Sequence, residues 1–143
     1  MRLSLDANVL FSAAYRAAGN AHALFEIARP CGATLATSPF AVDEALRNLR
    51  LKAPEGEAEL VRLLGRLERL ASPDRHSLER AQGHGLPDKD IPILAAALAV
   101  RARILVTGDR RHFGLLFGKR IEGLEVLSPL ESLDRLLRRS ASY

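Results

Sequence analysis

The chain has 143 residues, a length that fits a single domain, and its 48% apolar and 27% charged content points to a packed globule. One cysteine excludes an intramolecular disulfide and a cysteine-built zinc site, and no stretch of about 18 apolar residues is present to span a membrane. The net charge of +4 mildly favours polyanions but is also an ordinary balance for a globular protein.

In chain order, residues 3–5 form a short apolar segment ending at Asp6, followed by a helical pattern through Leu10, Ala13, Ala14 and Ala17 that Gly19 stops. A second helix is predicted over 22–29, before Pro30, then a short strand over 34–37. Ser38 and Pro39 open a helix with Val42, Ala45, Leu46 and Leu49 on one face. After Pro54 and Gly56, Leu60, Leu63, Leu64, Leu67 and Leu70 form an amphipathic stripe, with a strand as an alternative near 70–71. Residues 72–87 read as a turn-rich loop with one helical turn at 77–82. Residues 91–100 are apolar on nearly every face, so that helix is expected to be buried. The strongest strand pattern covers 103–107. A helical turn near 113–117, a strand over 124–127 and a final helix opened by Ser128 and Pro129 complete the chain. Strands alternating with helices imply one α/β domain over 1–143, with a mostly parallel central sheet flanked by helices on both faces. A charge close to the N-terminus argues against a signal peptide, so a cytoplasmic location is expected.

Ligands bind open parallel sheets beyond the carboxyl ends of their strands. Asp6 directly follows the first strand, Asp109 lies two residues after Thr107, and Asp88 and Asp90 precede the buried helix. Each also precedes a helix, where Asp is a favoured cap, so capping alone accounts for any one of them. Their joint placement on one edge is what points to metal binding. Glu44 lies opposite its helix's apolar stripe, and periodicity alone leaves it solvated. Asn8 and Thr107 are placed to orient the carboxylates, or simply to make local hydrogen bonds. His22, His76, His84 and His112 form no metal-binding pair on a helix; a substrate contact or a loop position is open for His84 and His112. No nucleophile elbow and no glycine-rich phosphate loop occur.

Leu3-Ser-Leu-Asp-Ala-Asn-Val-Leu10, Asp90-Ile-Pro-Ile-Leu-Ala-Ala-Ala-Leu98 and Ile104-Leu-Val-Thr-Gly-Asp109, with Glu44 in Val42-Asp-Glu-Ala-Leu46, together resemble the PIN-domain family, including its VapC-like members. The order and spacing match over essentially the whole chain. The resemblance implies a Mg²⁺- or Mn²⁺-dependent endoribonuclease, often the toxin of a toxin–antitoxin pair, and it brings Glu44 into the site. Many members carry a further Asp shortly after the last motif, where this chain has Arg110-Arg111-His112-Phe113.

On that reading Asp6, Asp90 and Asp109 contact the metal, directly or through water, and Glu44 binds metal or positions the attacking water. Asp88 is the alternative third acid. Asn8 and Thr107 orient these groups. Arg110, Arg111, Lys119 and Arg120 are expected to hold the RNA backbone, with a solvated surface as the competing account. Single-stranded or loop RNA is favoured, because its bases are accessible. The alternatives are a silent RNA- or protein-binding module and a phosphoryl-transfer or receiver-type domain. The Leu-rich stripes at 60–70 and 130–137 suit a homodimer seam or an antitoxin groove, or ordinary core burial.

Overall fold

A computed structural model describes residues 1–141. The strands are β1 (Arg2–Leu5), β2 (Thr34–Thr37), β3 (Glu68–Arg69), β4 (Ile104–Val106), β5 (Arg120–Ile121) and β6 (Leu124–Leu127). They form a six-stranded sheet in the order β3-β2-β1-β4-β6-β5, parallel except for the β5–β6 pair. The helices are α1 (Ala7–Tyr15), α2 (Asn20–Ile27), α3 (Pro39–Lys52), α4 (Glu57–Leu64), α5 (Arg75–Ala81), α6 (Ile91–Ala99), α7 (Arg110–Phe113) and α8 (Pro129–Ala141).

Strand alternation assigns the two layers. Leu3, Leu5, Ile104 and Val106 face a core shared with α1–α4 and α8, whereas Leu105, Leu124 and Val126 face α6 and Phe113. Helices therefore cover both faces, as the strand–helix alternation implies. The stripe over 60–70 goes into the core, with Leu60 and Leu63 fully buried. α8 divides instead: Leu133 and Leu136 are buried, while Leu130 and Leu137 remain exposed. Among the described residues no helix is long and apolar enough to cross a membrane.

Local chemistry explains where the elements depart from the sequence expectation. The expected single turn at 77–82 is the seven-residue α5, because Asp74 caps it, accepting from the Ser77 N–H at 2.8 Å. The strand expected near 70–71 sits earlier, at Glu68–Arg69. The β5–β6 hairpin, unexpected from sequence, closes over Glu122 and Gly123, both at positive φ. That is the backbone of a tight turn matched to strand twist. α8 starts with a reciprocal cap: Glu131 N–H donates to Ser128 Oγ at 3.1 Å, and Ser128 N–H donates to Glu131 Oε1 at 3.0 Å.

The sheet order makes β1 and β4 neighbours from which the chain proceeds in opposite directions. The crevice at such a reversal opens beyond the strands' carboxyl ends. Asp6 and Thr107 sit there directly after β1 and β4, with Asp109 two residues farther on.

Candidate active site

Asp6 is almost fully buried and caps α1, its Oδ1 accepting from the Ala7 N–H at 2.8 Å. Its other oxygen, Oδ2, accepts from the Thr107 hydroxyl at 2.7 Å and from Asn8 Nδ2 at 3.0 Å. Asn8 Nδ2 also reaches Thr107 Oγ1 at 3.2 Å, and its Oδ1 accepts from the Gly108 N–H at 2.8 Å. Thr107 Oγ1 in turn accepts from the Asp109 N–H at 3.0 Å. Capping and site assembly are thus one arrangement here: the residue that starts α1 is also tied to the loop after β4.

Asp109 caps α7, its Oδ1 accepting from the His112 N–H at 3.0 Å. Asp90 ends the single 3-10 turn Asp88–Asp90 at the start of α6 and is buried at 3% exposure. His112 Nδ1 lies 2.9 Å from Asp109 Oδ2 and 3.1 Å from Asp90 Oδ2. Neither approach has hydrogen-bond geometry, so the imidazole nitrogen and Asp90 Oδ2 are buried at ion-pair distance of each other but without a hydrogen bond. A buried carboxylate oxygen in that state carries an unrecovered desolvation cost.

Burial, offset by the Thr107 and Ala7 hydrogen bonds, pushes the Asp6 carboxyl up to about 6, and the charges of Asp90 and Glu44 add to the rise. Asp90 is likewise raised, first by burial and further by Glu44 and Asp109, against the opposing pull of His112 and Lys89. These repulsions bind the four acids into one electrostatic unit.

Glu44, which periodicity leaves solvated, is half-buried on α3, with Lys89 Nζ 3.6 Å from Oε1. Its helix packs on α1 and α6 and so carries it toward the acids. Asp88 is exposed, whereas Asp90 is buried within the group.

The basic residues separate. Arg111 is exposed beside Asp109. Arg110 lies over the Phe117 ring, 4.2 Å from its centroid, and 3.4 Å from Glu131. Lys119 and Arg120 are not gathered at this edge, contrary to the sequence expectation. Arg120 pairs in register with Glu125, which is opposite Ile104 at the start of β4, so Arg120 lies at the amino edge. Lys119 lines a depression on the hairpin flank with His84 and Arg120. The two-residue strand β5, too short to show alternation, is what carries Arg120 away.

His112 and Lys89 belong to the site, and sequence pattern did not assign them there. The one available signal for His112 was its place three residues after Asp109, in the first turn of the same helix. Among the described residues no three ligating side chains enclose a common centre as they stand. In type, the donors fit a hard divalent cation: carboxylate oxygens, mutually repelling, one of them buried without a hydrogen bond.

A protein-family profile described as PIN domain matches residues 2–111. No curated protein sequence matches the chain. Solved structures similar in fold include VapBC2 from Rickettsia felis bound to a DNA fragment from their promoter (TM-score 0.67, 20% identity, 90% of this chain and 98% of that one). PAE2754 from Pyrobaculum aerophilum has a TM-score of 0.66 and 20% identity, covering 96% and 90%. VapBC-1 from nontypeable Haemophilus influenzae has a TM-score of 0.61 and 17% identity, covering 91% and 99%. With the profile spanning most of the sequence and the acid-lined crevice at the β1–β4 switch, the chain belongs to the PIN-domain family.

Proposed function

We propose that this chain is a Mg²⁺- or Mn²⁺-dependent endoribonuclease that cleaves single-stranded or loop RNA, and that it is the toxin of a toxin–antitoxin pair. The observation carrying this reading is Asp90 Oδ2, buried without a hydrogen bond and with only the His112 imidazole beside it, in an acid group that repels itself. Such an arrangement gains most from a bound cation, because the cation relieves both the repulsion and the missing contact.

Asp6, Asp90 and Asp109 would hold the metal. Bound there, a divalent ion acidifies a water and offsets charge growing on the phosphoryl oxygens. Asn8 and Thr107 keep the Asp6 carboxylate oriented through two hydrogen bonds to one oxygen. Glu44, half-buried on α3 and within charge range of Asp6 and Asp90, would bind the metal or position the attacking water. Arg111, exposed next to Asp109, holds a backbone phosphate. The membership of VapBC structures among the fold relatives supports an antitoxin partner. So does a mixed cleft between α1, α2 and α8, where Phe11, Tyr15 and Leu130 stand beside Arg16 and Asn20.

A second reading, a silent RNA- or protein-binding module, is favoured by one fact: Arg110-Arg111-His112-Phe113 stands where many family members carry a further Asp. Cleavage of mixed single-stranded RNA by wild type and Asp6→Asn, each with Mg²⁺, Mn²⁺ or EDTA, separates the two. The nuclease reading expects metal-dependent cutting that Asp6→Asn abolishes. Wild type that binds RNA but cuts it with neither metal is the silent module.

A further inference from the structure

The amino edge of the sheet, opposite the acids, is strongly basic. Arg80, Arg101, Arg103 and Arg120 surround a cleft floored by Ala102 and Gly123, at the C-terminus of α6 and the tip of the β5–β6 hairpin. Their charges are unevenly used. Arg80 reaches Glu122 at 2.7 Å. Arg120 approaches Glu125 at 3.3 Å, but that carboxylate already accepts two hydrogen bonds from Arg135, at 2.8 and 3.0 Å. Arg101 and Arg103 are exposed and have no ion pair among the described residues.

Arg101 also stands where glycine is favoured. It ends α6 with φ 56°, while the next residue's N–H bonds back to Ala97 O at 3.0 Å. A side chain in that conformation is unfavourable, so a cation stands here at a strained backbone position. A cation at a helix C-terminus recovers part of this cost, yet glycine would avoid it altogether.

We propose that this cleft is a second phosphate-binding site, gripping the backbone of an RNA strand whose scissile region lies at the acid edge. The cleft has no exposed aromatic or apolar anchor of the kind that dominates protein interfaces, which favours a phosphate backbone over a protein partner. The flank between the edges adds one further cation, beside the exposed Leu115. The cleft adjoins the hairpin-flank depression through Arg120 and Glu122, and Lys119 lies on that flank. The strands between the edges span only on the order of 10 Å. This inference rests on RNA being the substrate of the acid edge.

The test uses the full chain in EDTA and labelled single-stranded RNAs of about 4 and about 12 nucleotides. Binding is read by fluorescence anisotropy over a salt series. Wild type is expected to bind the longer RNA about tenfold more tightly than the shorter one. In the Arg101→Glu, Arg103→Glu double variant that advantage is expected to vanish, with the salt slope reduced by about 1.4. Arg101→Gly guards against misfolding: relieved of its positive-φ side chain, it is expected to melt no lower than wild type while losing part of the advantage. Variants that melt like wild type and bind the longer RNA equally well overturn the proposal. So does a cleft that captures polyglutamate while RNA binding is unaffected by the substitutions, because that assigns it to an acidic protein. Wild type that cuts neither RNA with Mg²⁺ or Mn²⁺, yet keeps an arginine-dependent length preference, sinks the nuclease reading and sustains the cleft.

Discussion

The Thr107 hydroxyl donates to Asp6 Oδ2 at 2.7 Å, joining two residues 101 positions apart across the boundary between β4 and β1. Thr107 Oγ1 also accepts from the Asp109 N–H at 3.0 Å, so one side chain registers two acids. Thr107→Val keeps the shape but leaves a buried carboxylate short of a donor and a backbone N–H short of an acceptor. The expected loss is about 1–3 kcal/mol of stability, with RNA cleavage reduced at least about tenfold. Thr107→Ser restores both. Thermal melts and cleavage rates on the three proteins check this, and a valine variant as stable and active as wild type would refute the registering role.

Asp6 also sets a pH dependence. Burial disfavours its charge and pushes the folded carboxyl up from an ordinary 3.8 to about 6. A raised carboxyl means that the folded state holds the proton more tightly than the unfolded state. This contribution to stability is complete below about pH 3.8 and is lost as pH rises through about 6. The shift corresponds to on the order of 3 kcal/mol across that window. Urea titrations in EDTA should show the wild type losing stability over this interval relative to Asp6→Asn. Parallel curves for the two proteins would mean that Asp6 does not titrate in this range.

Much of this site was readable from residue order, for reasons that differ by residue. Asp6 and Asp109 were legible because a parallel strand delivers whatever follows it to one edge, and β1 and β4 have clear apolar patterns. Asp90 was legible from its place before an all-apolar helix, and its burial beside exposed Asp88 follows from the 3-10 turn. Glu44 was not legible from periodicity. A helix crossing a sheet edge has a face that is neither core nor solvent, and a single hydrophobic stripe cannot reveal it. Arg120 was misplaced because a two-residue strand carries no alternation, and the hairpin it forms reverses the chain away from the acids. His112 gave no metal-binding spacing: Asp109 lies three residues before it on the same helical turn, but Asp90 meets it only through tertiary packing.

Divalent metal should act on the folded state through Asp90. Its Oδ2, buried without a hydrogen bond, and its raised carboxyl imply that a cation stabilises the protein by adding a contact and relieving repulsion. At neutral pH, Mn²⁺ at about a hundredfold excess over its dissociation constant is expected to add about 2.7 kcal/mol. Asp90→Asn should abolish most of that gain, while Asp88→Asn, altering only an exposed side chain, should retain it. Differential scanning calorimetry with and without EDTA measures each. Equal metal responses in wild type and Asp90→Asn would place the cation elsewhere.

Arg110 and Arg111 are adjacent, yet different outcomes are expected of them. Arg110 is engaged, its guanidinium 4.2 Å from the Phe117 ring centroid and 3.4 Å from Glu131. Removing it as Arg110→Ala should cost about 0.5–1 kcal/mol of stability through the lost ring contact. Arg111 is exposed and has no ion pair among the described residues, so Arg111→Ala should leave the melt within about 0.5 kcal/mol of wild type. Its effect should fall on substrate instead: a KM for single-stranded RNA raised severalfold and a salt slope reduced by about 0.7, as one lost phosphate contact requires. A charge acting only through the surface as a whole would give the same change in KM when Arg75, an exposed arginine on α5, is replaced by alanine. Equality of those two variants would remove Arg111 from the substrate path, while a change confined to Arg111→Ala would establish it as the backbone contact beside Asp109.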